Sequence, residues 1–269
     1  APAESTKRSG GASMAAASVL SDAAALCCAE AETAQRQLTA QEEQALGIKR
    51  QLQQERVLSA LGNRDVSLRD LVVALGEPLT HAESPARKSA VALLSRALEA
   101  VPVELLDEKS TDHLFEFYCS RLQDYPCAAE VISGLRVLLD RSSLAEAQLS
   151  RLSTSLLDES DVRCLPQRER YAAIELVMSL SARAARLAVG RAAGASGGGG
   201  GGGVSTDGTV DVGSAPLSAA TLLLQSLRAF DGEKDPRNLL LLLQLMRALC
   251  VRCAHTQARG QRHAWSRAQ

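Results

Sequence analysis

The chain has 269 residues, with 30 basic and 31 acidic side chains and a formal net charge of −1. This balance excludes the long-range positive field with which many proteins attract nucleic acids. Aromatic residues make up only 3% of the chain and seven cysteines are scattered through it, so the composition favours packed helices over β-sheets or a disulfide framework. No uninterrupted apolar segment approaches the roughly 20 residues that a membrane span needs.

The amino-terminal part of the chain divides by composition into two segments. Residues 1–29 are rich in Ala, Ser and Gly and predict a disordered tail rather than a targeting peptide, because Asp22 interrupts the apolar segment and no basic region immediately precedes it. Residues 30–62 are rich in Glu, Gln, Arg and Leu, which are strong helix formers. They predict a capping helix, or helices, that ends near Gly62.

Helix-like segments with similar apolar patterns follow Pro85, Pro126, Pro166 and Pro236. Proline suits the first turn of a helix because its missing N–H would have no intrahelical partner there. Apolar residues then recur at offsets that place them on one face of a helix, and the copy after Pro166 is shifted by two residues. These stripes are Ala90, Val91, Leu94, Ala97 and Leu98; Val131, Ile132, Leu135, Leu138 and Leu139; Ala173, Ile174, Val177 and Leu180; and Leu241, Leu242, Leu245, Ala248 and Leu249.

The four prolines are 41, 40 and 70 residues apart, and the last spacing falls to about 44 when a glycine- and serine-rich segment is removed. A helical period of about 40 to 47 residues is typical of HEAT and armadillo arrays. Each period also contains a candidate partner helix, at residues 68–75, 111–123, 144–157 and 219–230. The sequence therefore predicts an all-α solenoid, with hairpins 1 to 3 in residues 63–188 and hairpin 4 in residues 215–258.

The segment at residues 189–214 contains seven consecutive glycines, Gly197 to Gly203. No lysine follows them, as a phosphate-binding loop would require, so the segment predicts a flexible insertion. Residues 259–269 predict an irregular tail. The first residue is not methionine and no closing cap is evident near Gln269, which leads us to expect a fragment of a longer protein.

One group of residues has the composition of a metal site. Cys250 and Cys253 form a CxxC pair, with His255 and His263 downstream. The spacing of the two histidines does not fit a standard zinc finger. We expect no bound metal or cofactor, and we expect Cys250 to be a core residue and Cys253 an exposed one.

Motifs of nucleophilic or metal-dependent catalysis are missing from the sequence. It contains no GxSxG or HExxH motif. Paired carboxylates such as Asp107 and Glu108 lie between predicted helices, where they usually face solvent or favour a helix start. We therefore expect no catalytic residues.

The segment DGEKDPRN, from Asp231 to Asn238, separates the two helices of hairpin 4. Gly232 can adopt the positive φ that ends a helix, and Asp235 can cap the helix that starts at Pro236. Four further residues remain available to contact a neighbouring repeat or a partner protein. These candidate partner-contact residues are Glu233, Lys234, Arg237 and Asn238.

The string FDGEKDPRNL resembles a segment of the methyl-methanesulfonate-sensitivity family of HEAT-repeat adaptors, associated with nucleotide excision repair and transcription regulation. SLRDLVVALGEPLTHAESPARKSAVALLSRAL and FYCSRLQDYPCAAEVISGLRVLL also resemble this family. The likeness covers roughly residues 60–250, without the glycine-rich insertion, and corresponds to the family's amino-terminal part. Later repeats are missing, and the residues from Arg252 onward match no pattern in the family.

The resemblance implies a non-catalytic scaffold of the targeting complex in cytosolic iron–sulfur cluster assembly, present in nucleus and cytoplasm. Such a scaffold helps deliver [4Fe–4S] clusters to apo-proteins of DNA repair, replication and transcription. The implied partners are cluster-assembly targeting subunits and clients such as DNA helicases and polymerases, without direct contact with nucleic acid or membrane. Two alternatives remain: a HEAT or armadillo scaffold of the transport or phosphatase type, and a small metal-binding protein.

Overall fold

The structure is a computed structural model that describes residues 14–34, 36, 39–195 and 217–267. The chain is all-α, as the composition and the repeat pattern predict, and the described residues contain no β-strand. Their α-helices are α1 (Met14–Ala34), α2 (Ala40–Gly62), α3 (Leu68–Ala74), α4 (Gly76–Thr80), α5 (Ser84–Ala100), α6 (Glu108–Arg121), α7 (Ala128–Arg141), α8 (Glu146–Thr154), α9 (Gln167–Ala195), α10 (Ala219–Ala229) and α11 (Pro236–Arg267). Contacts divide the chain into two compact units, Ala1–Ser110 and Thr111–Gln269.

The first unit contains hairpin 1, formed by α3 and α4 on one side and α5 on the other. A capping box starts α3, because the Ser67 hydroxyl accepts the Asp70 backbone N–H while the Asp70 carboxylate accepts from Ser67. All five stripe residues of α5 are buried. The apolar stripe in the sequence is therefore the core of this unit.

Helix α1 contradicts the prediction of a disordered tail over residues 1–29. It packs against α5 and α2, and its buried residues are Ala16, Leu20, Ala23, Cys27 and Ala31. Alanine has the highest helix propensity, and its small side chain allows close approach between helices. The Glu30 carboxylate also forms an ion pair with Arg50 of α2 and accepts from the Ser89 hydroxyl of α5, both at 3.0 Å. Residues 1–13 of the predicted tail lie outside the described residues.

The second unit stacks three hairpins, α6–α7, α8–α9 and α10–α11, in the manner of a HEAT-like solenoid. Helix α9 lies between α7 and α11 and contacts both. Helix α8 ends in a π-helical turn, Ser155–Glu159, which contacts α10. A hydrogen bond of 2.7 Å from the Gln148 side chain to Asp112 joins α8 to α6.

The apolar stripes of this unit are buried to different extents. All predicted stripe residues of α7 and α9 are buried. Of the predicted stripe residues of α11, only Leu245 and Leu249 are buried, whereas Leu241, Leu242 and Ala248 are half-buried. Among the described helices, α11 packs against α9 and α10, so its stripe is covered only on the side that faces them. Leu240 and Leu243, on the uncovered side, are 61% and 66% exposed.

The prolines mark the helix starts to within a few residues. Pro236 is the first residue of α11, Pro85 is the second of α5, Pro126 lies in a 3₁₀ turn before α7, and Pro166 directly precedes α9. Two predicted boundaries were wrong. Helix α9 continues to Ala195, into the predicted insertion, and α11 continues to Arg267, into the predicted irregular tail. Neither of these two helix extensions contains a proline, which would break the helix. The glycines at 197–203 lie outside the described residues.

Two described helices are long and apolar enough to cross a membrane by length and composition, α1 and the first 20 residues of α11, Pro236–His255. This differs from the expectation from the sequence that no segment is apolar enough to span a membrane. Both helices pack a face against other helices of their own unit, α1 against α5 and α11 against α9 and α10. Core helices of globular proteins satisfy the same length and composition test.

Candidate partner-contact site

The loop between α10 and α11 has the local geometry that its sequence predicts. Gly232 adopts a φ of +81° after α10 ends, in the left-handed region that glycine enters without strain. The Asp235 carboxylate accepts the backbone N–H groups of Arg237 at 3.0 Å and Asn238 at 3.1 Å. The roles predicted for Gly232 and Asp235 are therefore confirmed.

The side chain of Glu233 points into the protein and is only 2% exposed. Arg170 of α9 donates to both carboxylate oxygens, from Nε at 2.7 Å and from Nη2 at 3.2 Å. The backbone N–H groups of Lys234 and Asp235 donate to the same carboxylate at 2.9 Å each, and the Asn238 amide donates at 3.1 Å. Glu233 is therefore the centre of a network that holds the loop against hairpin 3.

This network lowers the pKa of Glu233 to about 2, from an ordinary value of 4.5. The hydrogen bonds from Arg170 are the largest cause, because they stabilise the ionised carboxylate. The pKa of Arg170 is raised for the same reason. A carboxylate held ionised in this way is suited to structural pairing and is a poor proton donor near neutral pH.

Asn238 and Gln167 extend the connection between hairpins 3 and 4. The Asn238 side chain is buried, and its amide donates to the Gln167 carbonyl oxygen at 3.3 Å. The Gln167 amide donates to the Asp235 carboxylate. Glu233 and Asn238 therefore contact the neighbouring repeat, which is one of the two roles that the sequence left open for them.

Lys234 and Arg237, in contrast, are exposed. Lys234 lines an open pocket of about 360 Å³ together with Arg163, Arg170 and the loop residues Ala229 to Glu233. Arg163 also donates to the Asp161 carboxylate at 3.1 Å. Of the four candidate residues, these two have side chains that a partner protein can reach.

Three residues of this site, Gln167, Arg170 and Arg163, were not predicted from the sequence. Gln167 and Arg170 lie in the first turn of α9, and Arg170 is separated from Glu233 by 63 residues that include the glycine-rich segment. The only available signal was their position directly after Pro166, at the same end of the repeat as the loop after α10. That signal becomes useful only once stacking of hairpins 3 and 4 is assumed.

The CxxC pair differs from its prediction. Cys250 is exposed and Cys253 is half-buried, because Leu249 occupies the inward position and the next residue is rotated by about 100° around the helix. His255 is exposed, and the side chain of His263 lies outside the described residues. Within the described part of the chain, no group of three or more His, Cys, Asp or Glu side chains is arranged to hold a metal ion.

Two further thiols, Cys27 and Cys119, have pKa values raised mainly by burial. Burial raises the pKa of Cys27 to about 11 and that of Cys119 to about 12. Thiols with such high pKa values are almost entirely protonated near neutral pH and are poor nucleophiles or metal ligands. They belong to the packed interior of their respective units.

Comparison with known proteins assigns the chain to a family. Residues 72–261 match the amino-terminal MMS19 family model, described as a Dos2-interacting transcription regulator of RNA-Pol-II. The matched region contains most of hairpin 1, hairpins 2 to 4 and the loop after α10. No solved structure matches the chain.

Three curated relatives illustrate the similarity. The MMS19 nucleotide excision repair protein homolog of Dictyostelium discoideum is 29% identical over 45% of this chain and 11% of its own length. The DNA repair/transcription protein mms19 of Schizosaccharomyces pombe is 25% identical over 72% of this chain, and the human homolog is 27% identical over 74%; each match covers 17% of the relative. The chain therefore spans less than a fifth of the length of these relatives.

The family-model match covers more than half of the chain and coincides with its helical hairpins. The chain belongs to the MMS19 amino-terminal family of Dos2-interacting transcription regulators of RNA-Pol-II.

Proposed function

We propose that this chain is a non-catalytic HEAT-repeat scaffold in cytosolic iron–sulfur protein assembly. In this role it helps deliver [4Fe–4S] clusters, as cargo, to apo-proteins of DNA repair, replication and transcription. The observation that carries the proposal is the family match over residues 72–261. The relatives' names, which refer to DNA repair, nucleotide excision repair and transcription, point to work in the nucleus. We extend the proposed location to the cytoplasm, where clusters are assembled.

The chemistry of the described residues is consistent with a scaffold. Their most strongly perturbed ionisable groups are Glu233, Cys27 and Cys119, and each is engaged in packing or in ties between helices. Stacked hairpins offer extended surface, on which a stable protein interface buries about 1,600 Å² in total. Binding surface rather than a reacting group is therefore the proposed means of action.

We further propose that the loop after α10 contacts protein partners. The family description of a Dos2-interacting regulator supports this proposal. The contact is assigned to Lys234 and Arg237, whose side chains are exposed. Glu233 and Asn238 act as positioning residues, because their side chains hold the loop in place from the inside.

Affinity purification from cells followed by mass spectrometry tests this function. Tagged chain is expected to recover cluster-assembly targeting subunits and iron–sulfur clients such as DNA helicases and polymerases. As a control, the double variant Arg56→Gln and Arg69→Gln changes exposed residues of the first unit. It is expected to recover the same set of proteins as the unmodified chain. Recovery of transport receptors or phosphatase subunits in place of assembly proteins would contradict the proposal and favour the alternative scaffold class.

Metal analysis addresses the alternative of a small metal-binding protein. Purified chain and a Cys250→Ser, Cys253→Ser variant are both expected to contain no stoichiometric metal after dialysis. A stoichiometric transition metal that is present in the chain and missing from the variant would favour the metal-binding alternative.

A further inference from the structure

The charged side chains around the loop after α10 are arranged unevenly between interior and surface. Residues 161–170 and 231–238 contain equal numbers of acidic and basic side chains. Four of the five basic residues are exposed, whereas only one of the five acidic residues, Asp231, is exposed. The exposed basic residues are Arg163, Arg168, Lys234 and Arg237.

The acidic residues are less available because several of them are occupied by internal hydrogen bonds. Asp161 accepts from the Arg163 backbone N–H at 3.2 Å, from Arg163 Nε at 3.1 Å and from the Cys164 thiol at 3.2 Å. Glu233 is saturated by Arg170, Asn238 and two backbone N–H groups. Asp235 caps α11 and accepts from Gln167.

The pocket beside the loop is lined in part by basic groups that are not used in internal hydrogen bonds. Arg170 uses all three of its side-chain nitrogens in bonds to Glu233 and to the Leu165 carbonyl oxygen. Lys234 and the two terminal nitrogens of Arg163 line or border the pocket and have no hydrogen-bond partner among the described residues. Of the two acidic residues that line the pocket, Glu233 is enclosed and Asp231 is exposed. The Asp161 carboxylate, whose side chain is 41% exposed, is already paired with Arg163. The pocket therefore offers donors and positive charge with little competing acceptor.

We propose that this pocket binds an acidic segment of a partner polypeptide, with Asp or Glu carboxylates contacting Arg163 and Lys234. Guanidinium and ammonium groups form strong charge-assisted hydrogen bonds with carboxylates. Arg168 and Arg237 supply further exposed positive charge within the same two segments, 161–170 and 231–238. The inference names a partner chemistry for the proposed contact loop, and in that sense rests on the proposed scaffold function.

A peptide fits the pocket better than a nucleic acid does. The chain as a whole has a net charge of −1, which provides no long-range attraction for a phosphate backbone. The only aromatic residue of the pocket, Phe230, is 4% exposed, so it offers no face for a stacked base.

Fluorescence anisotropy with a labelled polyglutamate peptide tests the inference on the purified chain. We expect saturable binding that weakens as salt is raised, and no binding of a polyglutamine peptide of the same length. The double variant Arg163→Gln and Lys234→Gln is expected to bind about tenfold more weakly, as for the loss of charged contacts. The double variant Arg56→Gln and Arg69→Gln removes the same charge from the first unit and is expected to bind within about twofold of the unmodified chain.

An Asp231→Asn variant provides a change in the opposite direction, because it removes the exposed acidic group of the pocket lining and is expected to tighten binding about threefold. Unchanged urea midpoints would show that the variants remain folded. Equal binding by the Arg163→Gln, Lys234→Gln variant would overturn the inference. So would an equal loss in the Arg56→Gln, Arg69→Gln control, or competition by single-stranded DNA at the same concentration as the peptide.

The result of this binding experiment does not depend on whether the proposed scaffold function is correct. If the chain does not bind the peptide but still recovers assembly proteins from cells, the inference about the pocket is wrong and the proposed scaffold function stands. If the pocket binds the peptide but the chain recovers an unrelated set of proteins from cells, the inference about the pocket stands and the proposed iron–sulfur role is wrong.

Discussion

The two junctions that α9 makes within the second unit are held by different forces. Toward α7, the contact rests on apolar burial, since all five stripe residues of α7 are buried and the ion pair between Arg136 and Glu175 is largely exposed. Toward α11, only two stripe residues are buried, and the loop is held by the enclosed Glu233 carboxylate and its donors. Apolar burial supplies most of the free energy in the first junction, whereas directional polar contacts supply positional precision in the second.

The largest effect is expected from Leu135→Ala on α7, compared with Leu245→Ala at the equivalent offset on α11. Both leucines are fully buried, but three stripe neighbours of Leu245 (Leu241, Leu242 and Ala248) are half-buried and can move into the space left behind. We expect a loss of about 3 to 4 kcal/mol in unfolding free energy for Leu135→Ala and about 2 kcal/mol for Leu245→Ala. Urea denaturation followed by circular dichroism measures both, and equal losses would remove the distinction between the junctions.

The next largest effect is expected from Glu233→Gln, compared with Arg136→Gln. Removing the enclosed negative charge leaves Arg170 without its counterion and turns one acceptor oxygen into a donor that faces other donors. We expect a loss of about 2 kcal/mol, against less than about 1 kcal/mol for the exposed Arg136 pair. The same denaturation experiment decides the matter, and a larger effect of Arg136→Gln would reverse our ranking of the two polar contacts.

Acidification is expected to remove the same contribution reversibly. The pKa of Glu233 is lowered to about 2 in the folded protein, so the contribution to stability is present above the ordinary pKa of 4.5 and is lost as the pH falls from there toward 2. The gap in urea midpoint between the unmodified chain and Glu233→Gln is therefore expected to narrow over this range, by the equivalent of about 2 kcal/mol. A gap that stays constant down to pH 2.5 would show that the carboxylate is not specifically stabilised.

The smallest effect is expected from Gly232→Ala, compared with Gly47→Ala in α2. Neither added methyl group meets another atom within 4 Å, so only backbone conformation differs. Alanine at the positive φ of Gly232 is expected to destabilise the protein by about 1 kcal/mol. Alanine in the helical backbone at Gly47 is expected to stabilise it by about 0.5 to 1 kcal/mol. Thermal denaturation shows the two signs, and a neutral Gly232→Ala would mean that the loop does not depend on this turn.

The comparison also shows which parts of the structure were predictable. The helices after the four prolines and their inward faces follow from the spacing of apolar residues, which is a local property of the sequence. Helix α1 was missed because its alanines and serines resemble those of an unstructured tail, and its stability depends on packing against α5. The pairing of Arg170 with Glu233 was missed because contacts across repeats are not encoded by the repeat period itself.

The contacts from Arg170 and Gln167 to the loop after α10 connect residues on opposite sides of positions 196–216. The pairing of hairpins 3 and 4 therefore includes side-chain contacts between residues that are more than 60 positions apart in the chain. Two separately expressed halves, divided within 196–216, are therefore expected to reassociate in solution through the contacts between α9 and α11, with the Glu233 carboxylate aligning them.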